Sequence, residues 1–278
     1  MNFQVDEQFS VLIISVNYGN PSPVEDLIKS IQPNSNITLW IEDNSSSNLS
    51  LMPLMKMKEG SGIAIDIFPH AQNHFYWGAA IKGLNRLNKK KLNWPRWIIV
   101  CNNDICFDNL FFTYLKTVNV HKNKIIAPKI FSNFKKTNLN PFFNNRLSKI
   151  EKMYYKLVNF HWLTAKIFEV LGKYFNRYIN HKTHKNSVVR PIYAPHGSCI
   201  IFSSEYFQMG GYLDDGFQMF GEELSTAEIA RKLNVQIMYH PHLIMTHNDH
   251  FSTGNLSWRE LYNISQSTYY YLNKTYNL

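Results

Sequence analysis

The chain has 278 residues, of which 45% are hydrophobic, and a formal net charge of +9, enough to bury one large core or two small ones. No apolar run approaches the ~20 residues of a membrane-spanning helix, Met1 to Gln8 lacks the basic start of a secretory signal, and Cys101, Cys106 and Cys199 lack metal-ligand spacing and fit reduced cytoplasmic thiols. The charge is unevenly placed: Phe131 to Arg190 holds 12 Lys and Arg against 2 acids, a net +10, while the remainder carries 17 basic and 18 acidic residues.

Phe9 to Tyr18 (Phe-Ser-Val-Leu-Ile-Ile-Ser-Val-Asn-Tyr) has the pattern of a buried strand, ending in Asn17-Tyr18-Gly19-Asn20-Pro21. Val24 to Ile31 puts Val24, Leu27, Ile28 and Ile31 on one helix face. Ile37 to Ile41 reads as a second strand, stopped by Glu42-Asp43-Asn44-Ser45-Ser46, and Ile63 to Phe68 as a third. Pro69 to Gly78 reads as a loop in which Asn73 and Gly78 flank Phe75, Tyr76 and Trp77, and Ala79 to Leu87 as a helix. Trp97 to Cys101 is a fourth buried strand, ending at Asn102, Asn103 and Asp104. Strands alternating with helices predict an α/β fold with a parallel, doubly wound core, in which ligands sit at the carboxyl ends of the strands. Neither a Gly-x-Gly-x-x-Gly turn nor a Walker Gly-Lys-Ser follows the first strand, which speaks against a dinucleotide fold or a P-loop enzyme. The lone carboxylate after two amides, Asp104, supplies a hard oxygen ligand suited to Mg²⁺ or Mn²⁺ carrying a substrate phosphate. An Asx-rich turn capping the strand fits the same three residues.

Phe107 to Val120 reads as a helix and Ile125 to Pro128 as a short strand. The basic segment then brings apolar residues three or four apart at Leu147, Ile150, Tyr154, Leu157, Leu163, Ile167, Leu171, Tyr174 and Tyr178, interleaved with lysines and Arg177. An amphipathic, basic, aromatic-rich helix or helix pair of this kind rests on an anionic membrane surface or packs on the domain with a solvated basic face. No nucleic-acid module surrounds it, so nucleic acid is not the expected partner. Ile192 to Phe202 resumes the core, with Gly197 just before an apolar strand, where backbone can approach a ligand closely. Glu222 and Glu223 stand near the start of a helix read over Ala227 to Leu233, where the dipole stabilises acids, so a plain helix-start charge pair fits them. Val235 to Tyr239 is a strand, Leu243 to Thr246 leads into His247, and Trp258 to Tyr276 reads as a closing helix. His240, His242, His247 and His250 form no helical His-x₃-His pair with a following Glu, which argues against a zinc hydrolase.

Taken in order, Val16-Asn17-Tyr18, Asp43-Asn44-Ser45-Ser46, Asn73 with Gly78, Asn102-Asn103-Asp104, Gly197, Gly210-Gly211-Tyr212-Leu213-Asp214, Glu222-Glu223 and His247 form a specific series. From Ser10 to Gly254, apart from the basic insertion, the chain resembles the family 2 glycosyltransferases of GT-A fold, particularly the rhamnosyltransferase-like members that build bacterial surface polysaccharides. The resemblance implies a single catalytic domain over 1–278, Rossmann-like, with a mostly parallel sheet, flanking helices and a basic helical insertion at 131–190. It implies an inverting transfer of a sugar from a UDP- or dTDP-sugar donor to a glycan or lipid-linked acceptor, in capsule, O-antigen or cell-wall polysaccharide synthesis. Val16, Asn17, Tyr18, Asp43, Asn73, Gly78, Asn102, Asn103 and Gly197 would bind the donor. Asp104 and His247 would hold Mg²⁺ or Mn²⁺, and Glu223, supported by Glu222, would take the acceptor proton. The expected location is the cytoplasm, with a peripheral seat on the inner face of the plasma membrane. Asn102 stands where the metal motif often has an acid, Glu223 where an Asp is usual, and Ser225 and Ile229 where an acid and an Arg commonly follow. A catalytically silent scaffold in a polysaccharide-assembly complex is the alternative. A sugar nucleotidyltransferase should carry Arg and Lys in a Gly-rich loop after the first strand, and Asn17 to Pro23 has neither.

Overall fold

In a computed structural model of the chain, residues 9–34, 36–45, 48–89, 94–168, 188–248 and 256–278 are described. The N-terminal stretch Met1 to Gln8, the helical positions from Leu171 to Tyr178, and His250 lie outside them.

The first half is a run of strand–helix units. β1 (Val11–Asn17) is buried along its whole length, its apolar run Val11 to Ile14 with Val16 carrying the polar Ser15 and Asn17 in with it. Pro23 in the first turn starts α1 (Ser22–Ser30), where its missing N–H costs nothing. β2 (Ile37–Asp43), α2 (Asn48–Glu59), β3 (Ala64–Pro69), α3 (Phe75–Lys89) and β4 (Trp97–Asn102) follow. β3-β2-β1-β4 pair parallel throughout. Alternate residues of β1 enter opposite cores, Val11 and Ile13 facing α1, and Leu12, Ile14 and Val16 facing α3. A buried ion pair ties α3 to the sheet: Arg86 grips Glu42 of β2 and lies 3.6 Å from the centroid of the Phe68 ring, while His70 approaches the same carboxylate at 2.7 Å.

The second half is mixed. β5 (Ile105–Phe107), α4 (Phe111–Thr117), β6 (Ile125–Ser132), β7 (Thr137–Asn138), α5 (Lys149–Val158), a further helical stretch α6 (162–168), β8 (Arg190–Ile192), β9 (Cys199–Ser203), α7 (Ser204–Gln208), α8 (Glu222–Lys232), β10 (Ile237–His247) and α9 (Trp258–Tyr276) complete it. β9 runs antiparallel between β4 and β6, and β10 lies parallel to β6 with β5 antiparallel on its far side. The ten-stranded sheet with flanking helices is thus the expected α/β architecture, although parallel pairing is confined to β3-β2-β1-β4 and β6–β10.

Several elements differ from the sequence reading. α2 was not expected, because Pro53 lies inside it and Leu49, Met52 and Met55 point outward, so no apolar stripe marks it. The helix expected over Phe107 to Val120 is shorter, since Phe107 ends β5 and packs its ring on Phe111 and Phe112. α3 starts at Phe75 and not at Ala79, because the Asn73 carboxamide accepts the Phe75 N–H at 2.7 Å. β10 is one strand with a bulge between His240 and Ile244, around Pro241, which has no N–H to give the ladder. The basic segment begins within the sheet, since Phe131 and Ser132 belong to β6. Among the described residues no helix is long and apolar enough to cross a membrane.

Candidate active site

The parallel strands deliver their polar ends to one edge. Asn17 pairs in register with Asp43, and Val16 with Asn102. The Asn103 amide donates to Asn17 Oδ1 at 2.8 Å, and Asn17 Nδ2 donates to Asp43 Oδ1 at 3.0 Å. Ser45 Oγ donates to the same Asp43 oxygen at 2.6 Å, and Ser50 Oγ to Oδ2 at 2.7 Å. Asp43 is therefore buried and bonded through both oxygens, with Asn17 and Asn103 fixed behind it. Ser45, which also takes the Gly19 N–H at 2.9 Å, is the outer member of this network. Val16 is buried in the core and offers only backbone here, whereas Tyr18 is exposed. Asn73 caps the start of α3 from an exposed loop, and Gly78 lies in the helix's first turn against His74.

Asp104 and His247 meet although 143 residues separate them, because β5 brings the chain after Asp104 against the end of β10. His247 Nε2 lies 3.0 Å from Asp104 Oδ1 and 3.3 Å from Asn102 Nδ2. Both residues are buried. Among the described residues no group of three or more His, Cys, Asp and Glu forms a metal cluster. The pair nonetheless fits one divalent ion. Two adjacent ligands, each about 2.1 Å from an octahedral ion, are about 3 Å apart, and a hard carboxylate with an imidazole suits Mn²⁺.

Facing this edge is the start of α8. Gly221 precedes it without a side-chain cap, and its N–H is taken by Glu222 Oε2 at 2.6 Å. Glu223 Oε1 instead accepts the Gly197 N–H at 3.1 Å. Burial, and then the neighbouring charge of Glu223, raise the pKa of Glu222 to about 8. Burial also raises Glu223, opposed by the Gly197 N–H. Gly197 leads into β9, and the next carbonyl, Ser198 O, accepts the Asn102 N–H at 2.9 Å. One short backbone link therefore joins the glutamates to the Asn102–Asp104 turn. A Cβ on Gly197 would stand 2.8 Å from Glu223 Oε1 and 3.0 Å from Glu222 Cγ, so any side chain there must displace the Glu223 carboxylate.

Sequence reasoning missed Tyr76. Its hydroxyl donates to Gly197 O at 2.9 Å, holding the carbonyl of the same residue whose N–H Glu223 accepts, and burial raises its phenol well above the usual range. The available signal was its place between Asn73 and Gly78, but an aromatic triplet there reads as core. Burial, and then Tyr154, Glu151 and Glu223 in that order, push the phenol of Tyr155 in α5 up to about 12.

No protein-family model matches the chain, and no curated protein sequence does. Solved structures do. GalNAc-T7, crystallised with UDP, GalNAc and Mn²⁺, superposes with a TM-score of 0.56 at 14% identity, over 90% of this chain and 45% of that one. S. aureus TarS gives 0.53 at 10% identity over 86% of this chain and 37% of that one. The structure of TarS 1-349 gives 0.52 at 9% over 87% and 61%. The chain thus spans between about a third and three fifths of these proteins' lengths. At such identities the likeness is one of fold, and that fold is the GT-A fold of glycosyltransferases.

Proposed function

We propose that the protein is an inverting, metal-dependent glycosyltransferase that takes a UDP- or dTDP-sugar and passes the sugar to a glycan or lipid-linked acceptor in bacterial surface-polysaccharide synthesis. One observation carries this reading. In a GT-A fold, a buried Asp104–His247 pair and the buried Glu222 with the half-buried Glu223 come together at the ends of β4 and β9, linked through Gly197 and Ser198. The strand-end network of Asn17, Asp43 and Asn103 would seat the base and ribose. Asp104 and His247 would hold the divalent ion, which when bound neutralises charge on the diphosphate. Glu223 removes the proton from the acceptor hydroxyl as that oxygen bonds to the anomeric carbon. The bond from that carbon to the diphosphate oxygen breaks at the same time, its electron pair leaving with the nucleoside diphosphate. Attack from the opposite face inverts the anomeric centre. Glu222, held by Gly221, supports its neighbour, and the Gly197 N–H with Tyr76 behind it fixes the carboxylate's direction.

UDP and dTDP should each be titrated calorimetrically with Mn²⁺ and with EDTA. The wild-type protein is expected to bind at least one far more tightly with Mn²⁺, and Asp104→Ala is expected to lose that difference. An unchanged affinity in Asp104→Ala would refute the metal assignment. A silent scaffold is the second reading, favoured by the lack of a third metal-binding acid, His or Cys among the described residues. Mn²⁺-dependent binding without donor hydrolysis or transfer would select it.

A further inference from the structure

The segment leading into β9 is clamped to the one that follows β7. Asn140 is buried, its Nδ2 donates to Pro128 O at 2.8 Å, and its Oδ1 accepts the His196 N–H at 2.7 Å. Phe143 pairs with Ala194 as an isolated antiparallel bridge, and the Phe142 N–H donates to Ala194 O at 3.1 Å. Backbone bonds therefore fix residues 140–143 against residues 194–196, directly ahead of Gly197.

The His196 ring is held in one protonation pattern. Its Nδ1 accepts the Ser198 backbone N–H at 3.2 Å, and a backbone N–H can only donate. The hydroxyl of the buried Ser198, 2.9 Å from the same nitrogen, donates to it as well. Nδ1 thus has no proton of its own, and the neutral ring carries its proton on Nε2. His196 is an N–H donor set one residue from the Gly197 N–H that Glu223 accepts at 3.1 Å.

Phe142 stands edge-to-face with His196, ring centroids 5.8 Å apart, and with Phe143 at 4.8 Å. It is nonetheless 41% exposed. A single exposed ring is ordinary. What sets this one apart is its fixed place beside an N–H donor and the proposed base. The face of an aromatic ring is negatively polarised and attracts C–H groups. A pyranose carries C–H groups on its faces and hydroxyls around its rim. An aromatic ring next to an N–H donor complements both at once.

We propose that Phe142 and His196 form a pyranose subsite for the acceptor's reacting sugar, Phe142 against one C–H face and His196 Nε2–H on a hydroxyl beside the one that Glu223 deprotonates. That this sugar is the acceptor rests on the glycosyltransferase reading; that the pair takes a sugar rests on the pair alone. His196 donates to the sugar and does not receive its proton, so it is a specificity-determining residue and not a second base.

The probes are the methyl pyranosides of glucose, galactose, mannose, rhamnose and N-acetylglucosamine, titrated by saturation-transfer NMR with UDP and Mg²⁺ present. ¹⁵N shifts of the free protein should place the His196 proton on Nε2. Wild type should bind at least one pyranoside, and binding should move the His196 Nε2 resonance. His196→Phe keeps a flat ring without the N–H, and Phe142→Leu keeps apolar bulk without the flat face. Each should weaken that pyranoside by ~3–10-fold. His196→Gln returns an N–H donor and should recover part of the loss, while Phe142→Tyr should bind as wild type. UDP affinity, measured by calorimetry with Mg²⁺, should be unchanged in all four. If His196→Phe does not fold, Phe142→Leu and the Nε2 resonance decide. The assignment is overturned if wild type binds no pyranoside, if the proton lies on Nδ1, or if folded variants without the N–H or the flat face bind as wild type. Loss of UDP affinity together with the pyranoside would also overturn it, by placing the pair at the donor. The expected pyranoside pattern in a protein that does not bind UDP would refute the glycosyltransferase reading and leave the sugar site standing. UDP binding without any pyranoside would do the reverse.

Discussion

A carboxyl group taken out of water resists ionisation; burial raises both Glu222 and Glu223, and Glu222 is raised further by the charge of Glu223. As the proposed base, Glu223 would accept a proton only when ionised, so its raised pKa should place the acid limb of kcat/KM above the ordinary carboxylate range, to be read from a pH–rate profile. Glu223→Gln should lower turnover by ~10²–10⁴-fold with nucleotide affinity nearly intact, while Glu222→Gln retains more. The reverse order would mean that Glu222 is the base. Glu222 also makes stability depend on pH. Its folded pKa, about 8, exceeds the ordinary 4.5, so its contribution is complete below the ordinary value and is lost as pH rises toward 8. Glu222→Gln has no proton to lose, and its melting temperature should gain on wild type from pH ~5 to pH ~8. A constant offset over that range would contradict the burial argument. Gly197→Ala tests the same pair from the other side. Its new methyl must push Glu223 Oε1 away from 2.8 Å, and a displacement near 1 Å costs on the order of 10²-fold in rate. Mn²⁺-dependent UDP affinity should not change.

Between elements, α9 governs the loop that delivers these glutamates. The buried Asp214 carboxylate accepts the Tyr271 hydroxyl at 2.7 Å and the Gly216 N–H at 3.0 Å, and it also receives the Tyr276 hydroxyl. Thr268 Oγ1 donates to Met219 O at 2.8 Å. Tyr271→Phe should destabilise by about 1–3 kcal/mol, since a buried carboxylate loses a donor. Gly216→Ala should cost more, because its Cβ would fall 1.8 Å from the Tyr271 ring. Chemical denaturation measures both. This clamp was not legible in the sequence, where Asp214 stood in a glycine-rich motif and Tyr271 among the tyrosines of a closing helix. What was legible were elements whose own pattern decides them: β1, β2, β4 and α9. Strand direction was not, since an apolar run such as Cys199–Ser203 looks the same whichever way it enters the sheet. β7 and β8, of two and three residues, exist only through pairing with β6 and β10. The polar strand ends were visible as candidates. Their convergence required the β5–β10 pairing that no local pattern encodes.

Over the whole molecule, the net +10 of residues 131–190 coincides with exposed apolar side chains at Ile150, Leu157, Phe160, Leu163 and Ile167. Each lysine or arginine near an anionic surface contributes about 1 kcal/mol, and salt screens that attraction. Sedimentation with anionic vesicles should therefore capture the protein at low salt and release it steeply as salt rises. Equal capture by neutral vesicles, or none by either, would rule out an electrostatic seat on the membrane. The antiparallel entry of β9 has a separate consequence, in time. Asn102 of β4 finds its partner carbonyl at Ser198, 96 residues later, which at 5–20 residues per second is ~5–20 s of synthesis. Until then one edge of β4 (Trp-Ile-Ile-Val-Cys-Asn) has its ladder groups open on an uncharged, β-branched run, the kind of edge that recruits strands from other chains. The nascent protein therefore leaves this strand edge open for about half the time the second half takes to emerge, and its yield should depend on translation speed and on chaperones that shield that edge.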